Sequence, residues 1–131
     1  MVHSAMKRLL TLTAFIEAAT GLALIAIPSV VVQLLLGAEI SGASIPLGRV
    51  AGAALLALGV ACWLAQDDAQ SCAARGLVSA MLFYNLGAVV ILGAAAVWSQ
   101  TVGIALWPAV ILHMVMVVWC VVCLRRSPSN D

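Results

Sequence analysis

Residues 9–27, LLTLTAFIEAATGLALIAI, predict a membrane-spanning helix with a carboxylate inside it. About 20 mainly apolar residues are enough for a helix to cross the roughly 30 Å of hydrocarbon in a bilayer. Glu17 lies near the middle of this stretch, where a charged side chain costs roughly 3 kcal/mol unless a partner or water compensates it. Because such residues mark binding or transport sites by default, Glu17 is the first candidate for a functional residue.

The composition of the whole chain indicates a membrane protein. Of its 131 residues, 65% are hydrophobic and only 8% are charged, whereas a soluble surface needs about a quarter of its residues charged. Three further stretches are long and apolar enough to span a bilayer: residues 47–65, 77–98 and 104–124. We therefore expect an all-α protein, a bundle of four transmembrane helices in one integral membrane domain over residues 1–131, with no nucleic-acid partner.

Residues 29–36 do not fit this simple pattern. They are apolar except for Gln33, but they are too short to span the membrane. Pro28 is expected to end or kink the first helix. The segment is therefore predicted to lie in the outer membrane interface or to cap the bundle.

Basic residues predict the orientation in the membrane. Five of them fall on one side of a four-helix weave: Lys7, Arg8, Arg75, Arg125 and Arg126. Because cytoplasmic segments are enriched in Lys and Arg, both termini are expected in the cytoplasm of a bacterial inner-membrane protein. A cleaved signal peptide is the alternative for the first helix, but Glu17 interrupts the apolar run that such a peptide needs.

Small residues on the second helix indicate close helix packing. Gly48 and Gly52 form a G-x-x-x-G pair, and Gly59 lies one heptad beyond Gly52. Such a face lets two helix backbones approach closely, either within one bundle or between two copies. Besides lipid, the expected partners are therefore a second copy of this chain or a larger membrane complex.

The intramembrane polar residues fall at similar depths. At 1.5 Å per residue, Glu17 and Asn85 lie about 12 Å from the cytoplasmic ends of their helices, and His113 lies about 16 Å in. Side chains lean toward the helix N-terminus, which favours a contact of Glu17 with Asn85 first, or with Tyr84. The same lean directs His113 outward.

Arg49 lies closer to the outer boundary, about 24 Å in by the same rise. The outward lean of His113 therefore brings it toward the level of Arg49. Thr13, Thr20 and Gly21 share the helix face of Glu17, which makes that face polar and narrow.

These residues define the predicted site. A ligand- or proton-binding site is expected, with no catalytic residue and no metal ligand assigned, and the identity of any cofactor is left open. The candidate site residues are Glu17, Tyr84, Asn85, His113 and Arg49. The alternative is a hydrogen-bonded cluster that only ties the helices together.

The cysteines suggest weaker alternatives. Cys120 and Cys123 form C-x-x-C, but the predicted topology places them on the reducing side of the membrane, where disulfides are rare. His113, Met116, Cys120 and Cys123 share one side of the fourth helix, and such soft ligands suit Cu(I). His113 alone could also be an axial haem ligand.

Part of the chain resembles a known group of bacterial membrane proteins. Residues 28–37, PSVVVQLLLG, are followed by GRVAG at residues 48–52 and LLALG at residues 55–59. This first half is similar to that of small four-helix proteins of the DoxX-like group and neighbouring uncharacterised families. The resemblance implies an accessory role in the inner membrane, in some members linked to quinone or thiol redox systems, and it carries over no catalytic residue.

A second resemblance is one of position. Small multidrug resistance transporters are four-helix homodimers with an essential glutamate in the first helix, and Glu17 is similar in position. This resemblance implies a proton-coupled exporter, although Arg49 and His113 have no counterparts in that family. The function hypotheses are therefore a non-enzymatic binding or accessory subunit, a proton-coupled exporter of small solutes or drugs, and a redox protein linked to quinone or haem.

Overall fold

Five α-helices make up the described structure. The computed structural model describes residues 2–99 and 102–126, with side chains from Ser4 onward, and it contains no strand within those ranges. The helices are α1 (Val2–Ala26), α2 (Pro28–Leu36), α3 (Ser44–Ala65), α4 (Cys72–Trp98) and α5 (Leu106–Arg126), with a 3-10 turn at Gln66–Asp68 after α3. The prediction of an all-α fold is confirmed.

Four of these helices can cross a membrane. The candidate spans lie in α1, in α3 together with the 3-10 turn that follows it, in α4 and in α5; their mean hydropathies are 1.8 to 2.3 and their lengths are 21 to 27 residues. The chain is therefore a small multi-pass membrane protein. The helices run past the predicted apolar stretches, as α1 begins at Val2 and α5 ends at Arg126. Residues 100 and 101, between the third and fourth predicted spans, lie outside the described residues.

The apolar segment after the first span is itself a helix, α2. Pro28 occupies its first turn, where a missing N–H removes no intrahelical hydrogen bond. Gly37 ends it in the left-handed conformation (φ 68°), and the Gly37 N–H donates to the Gln33 carbonyl. The Leu34 carbonyl accepts a hydrogen bond of 2.9 Å from the Ala105 N–H. This bond fastens the end of α2 to the chain that enters α5.

Glycines bring α1 and α3 into backbone contact. A Cβ added to Gly52 would lie 2.6 Å from the Gly21 carbonyl oxygen, and one added to Gly59 would lie 3.0 Å from the Ala14 carbonyl oxygen. Gly48 lies against Pro28, where an added Cβ would be 3.1 Å from the proline side chain. The small-residue face predicted for the second span, which is α3 in the structure, therefore packs within the bundle. The α4 and α5 helices form the other closely packed pair.

The buried core lies at the end of the bundle that holds the start of α1 and the end of α5. It includes Met6, Leu9, Leu10, Val78, Met81, Met116, Cys120 and Cys123, all at most 4% exposed. At the same end, Thr11 donates to Gln66 (2.6 Å) and Lys7 pairs with Asp67 (2.8 Å). The two helix pairs are therefore sealed together at this end, and the space between them lies beyond it.

Candidate functional site

A cavity of about 420 Å³ lies between the helices beyond the sealed core. All five helices contribute to its wall, and α2 provides Val31, Val32, Leu34 and Leu35. Most of the lining is aliphatic, and the polar side chains in it are Glu17, Thr20, Tyr84 and His113. The volume falls within the roughly 300 to 1,000 Å³ typical of ligand pockets.

The helix directions separate a polar end of the cavity from an apolar one. The polar end consists of Glu17, Tyr84 and His113. On α1 and α4, which run in the same direction, the lining continues beyond Glu17 and Tyr84 to Leu24 and Leu92. Ala105, just before the oppositely directed α5, lines the cavity next to α2, and the lining on α5 reaches His113 about two turns further along the chain. The apolar end therefore lies under α2, and the polar end rests on the sealed core.

Glu17 is paired with Tyr84. Glu17 is buried, with only 4% of the residue exposed, and the Tyr84 hydroxyl lies close enough to its carboxyl group to interact with it. This contact joins α1 to α4 across the cavity. Since a carboxyl group has several lone-pair sites, one hydroxyl leaves acceptor capacity on Glu17 for another group.

Asn85 orients His113. The Asn85 Nδ2 donates to the Met81 carbonyl one turn earlier (2.7 Å), which fixes which end of the amide is the oxygen. The Asn85 Oδ1 lies 2.8 Å from His113 Nδ1. An amide oxygen can only accept, so Nδ1 carries the proton and donates it. The His113 ring also meets the Tyr84 ring edge-on, with centroids 5.7 Å apart.

The contacts of Tyr84 and Asn85 differ from the order that we expected. The Asn85 side chain hydrogen-bonds to His113 and Met81, and Tyr84 is the residue that interacts with Glu17. The physical reason is rotation about the helix axis: consecutive residues point about 100° apart. Asn85 faces α5 and is 1% exposed, while Tyr84 turns toward α1.

Arg49 is not part of this arrangement. The residue is exposed on α3 and does not line the cavity, and the His113 ring is directed to Asn85 instead of the Arg49 level. Of the polar residues expected on the Glu17 face, Thr20 lines the cavity, Thr13 is buried and Gly21 contacts α3. The predicted site did not include the α2 residues of the cavity wall. The apolar composition of residues 29–36 could have indicated that this segment covers the bundle interior.

The cysteines belong to the core, not to the cavity. Cys62, Cys120 and Cys123 are at most 1% exposed and none of them lines the cavity, while Cys72 is exposed at the start of α4. Within residues 2–99 and 102–126, no three His, Cys, Asp or Glu side chains come together as a metal site. The described structure therefore adds no further ligands to the proposed copper set on α5.

Comparisons with known proteins do not assign the chain to a family. No family model matches it, and no significant match was found among curated proteins or solved structures. The similarities to DoxX-like proteins and to small multidrug resistance transporters therefore stay predictions.

Proposed function

We propose that this membrane protein binds, without chemical conversion, a small and mostly apolar molecule whose polar head group is held at Glu17. The observation that carries the proposal is the division of the cavity: three polar side chains lie at one end, and the walls beyond them are aliphatic except for Thr20. Sites for small molecules combine these features, because apolar walls supply affinity and a few polar groups fix orientation. A structural cluster alone would not require an open volume beside the carboxyl group.

The contacts at the polar end support ligand binding. Asn85 holds His113 in place through a hydrogen bond, and Tyr84 lies against Glu17. Groups fixed in this way recognise a ligand at low entropic cost. The role fits either an independent binding protein or an accessory subunit of a homo-oligomer or larger membrane complex.

A proton-coupled exporter is the second candidate. It is favoured by one observation, the position of Glu17 in the wall of a cavity on the first helix. An exporter must also expose this carboxyl group to both faces of the membrane. The packed layer of Met6, Leu9, Leu10 and Met116 lies between the cavity and one end of the bundle, so export would require that layer to open.

We place the protein in a bacterial inner membrane with both termini in the cytoplasm, on the basis of the basic residues. A reporter fused at Ala73, at the start of α4, or after Asp131 is expected to report a cytoplasmic location. One fused at Gly42, between α2 and α3, is expected to report an external location. Paired alkaline phosphatase and fluorescent protein fusions make the measurement, and an external C-terminus would reverse the assigned orientation.

Filling the cavity tests the proposed function. Ala88→Phe adds a ring to the cavity wall on α4, whereas Ala80→Phe adds the same ring to an exposed position on that helix. The probe is a dodecanol with a photoreactive diazirine near the end of its chain, added to protein in lipid nanodiscs. We expect Ala88→Phe to reduce competable labelling at least about tenfold, since it occupies the volume of the alkyl chain.

The Ala80→Phe variant should label like the wild-type protein. Equal labelling of all three proteins, with excess dodecanol giving no competition, would contradict a binding role for the cavity. Thermal unfolding of each variant in the same nanodiscs checks that the comparison is between folded proteins.

A further inference from the structure

We propose that the head group bound at Glu17 is a primary amine, held between the Glu17 carboxyl group and Nε2 of His113. The inference rests on the proposed function, because it names the ligand class for the same cavity. It follows from counting donors and acceptors at the polar end of the cavity.

The hydrogen bond to Asn85 determines which nitrogen of His113 carries the proton. The Asn85 amide is oriented by its bond to the Met81 carbonyl, and its oxygen faces His113 Nδ1 at 2.8 Å. A neutral imidazole carries one proton, so a ring that donates from Nδ1 has an acceptor lone pair at Nε2. His113 lines the cavity, and the polar atom that this ring has left for a ligand is thus an acceptor.

The Glu17 carboxyl group also contributes an acceptor. The Tyr84 hydroxyl lies beside the Glu17 carboxyl group and interacts with it. Carboxyl oxygens accept more than one hydrogen bond, so Glu17 offers a second acceptor to the cavity. Both acceptors belong to residues that line the same cavity, and Tyr84 lies beside both of them, since its ring meets the His113 ring with centroids 5.7 Å apart.

The charge of the cavity lining limits the head groups that fit it. No Lys or Arg is among the described residues that line the cavity, so an anionic head group would meet acceptors without a balancing cation. An ammonium brings several N–H donors and a positive charge, a hydroxyl brings a single donor, and a quaternary ammonium brings charge without a donor. The Tyr84 ring adds a favourable surface for a cation. Of these head groups, only the primary amine brings both an N–H donor for each of the two acceptors and a positive charge beside the Glu17 carboxyl group.

Competition among four compounds that differ in head group but share one alkyl chain length tests this inference. Dodecylamine, dodecanol, dodecyltrimethylammonium and dodecanoate each compete with the photoreactive dodecanol in nanodiscs, and each result is expressed per molecule measured in the bilayer. We expect dodecylamine to compete at a bilayer concentration at least about tenfold lower than that needed for dodecanol or dodecyltrimethylammonium. This ratio corresponds to one charge-assisted hydrogen bond. Dodecanoate should be the weakest competitor.

The outcomes separate the inference from the proposed function. If dodecyltrimethylammonium or dodecanoate equals dodecylamine, the amine assignment is wrong, while competition by dodecanol still supports the cavity as a binding site. If none of the four compounds competes, the proposed function fails as well. The wild-type ranking needs no variant, so a folding defect cannot obscure it.

One pair of variants locates the preference. Glu17→Gln replaces an acceptor oxygen with an amide N–H₂ group. In this variant we expect dodecylamine and dodecanol to compete at equal bilayer concentrations. Glu39→Gln removes a carboxyl group at an exposed position outside the cavity and should keep the wild-type preference. An unchanged preference in folded Glu17→Gln would overturn the assignment of the amine to Glu17.

Discussion

Gly52→Val is expected to prevent accumulation of folded protein. The added Cβ would lie 2.6 Å from the Gly21 carbonyl oxygen and 2.9 Å from the Ile25 backbone nitrogen. These are backbone atoms, so α1 and α3 must separate to accommodate the side chain, and the packing of both helices is lost. We expect a cost of more than about 3 kcal/mol, at the upper end for overpacked sites. The measurement is the yield and thermal unfolding of detergent-extracted protein.

Gly87→Val is the matched control. Gly87 also lies in a predicted span, on α4, but an added Cβ there has no neighbour within 4 Å. This variant should therefore accumulate and unfold like the wild-type protein. Normal folding of Gly52→Val, or an equal loss for both variants, would contradict the close packing of α1 on α3.

Glu17→Leu is expected to reduce competable labelling of the cavity strongly while the chain still folds. The substitution is similar in volume, but it removes the acceptor that holds the head group and leaves the Tyr84 hydroxyl without its partner. A polar group left unsatisfied costs about 1 to 3 kcal/mol, which lowers stability without unfolding a packed bundle. Loss of the head-group contact should weaken probe binding at least about tenfold. Labelling titrations and thermal unfolding measure the two effects separately.

The same titration can contradict the role of Glu17. If Glu17→Leu folds and retains wild-type labelling, the carboxyl group is a structural element of the helix contact and not a binding residue. Glu39→Leu, at an exposed position between α2 and α3, controls for the loss of a negative charge. It should leave labelling unchanged.

The fold was largely predictable because hydropathy dominates it. Four spans with mean hydropathies near 2 have few alternatives to a helical bundle. The helical state of residues 28–36 was harder to predict, since nine residues support little periodicity and Pro28 indicates a break. In the structure Pro28 is the start of the next helix, and Gly37 is its end.

The pairing of the polar residues was only partly predictable. Rise per residue places Glu17, Tyr84 and Asn85 at one depth, but the rotation of each helix about its axis depends on tertiary packing. Tyr84 and Asn85 are adjacent in sequence, yet one binds across to α1 and the other to α5. The cavity depends on the placement of α2 over the space between the helix pairs, which no local pattern in the sequence determines.

The position of labelling by the photoreactive dodecanol tests the central claim most directly. With the head group at Glu17, the alkyl chain extends toward the apolar end under α2, so mass spectrometry should find labels near Leu35 and Leu92. These labels should be competed by excess dodecanol and strongly reduced in Glu17→Leu. Labels confined to outward-facing residues such as Ile111 and Val118, and unaffected by Glu17→Leu, would contradict a ligand site at Glu17.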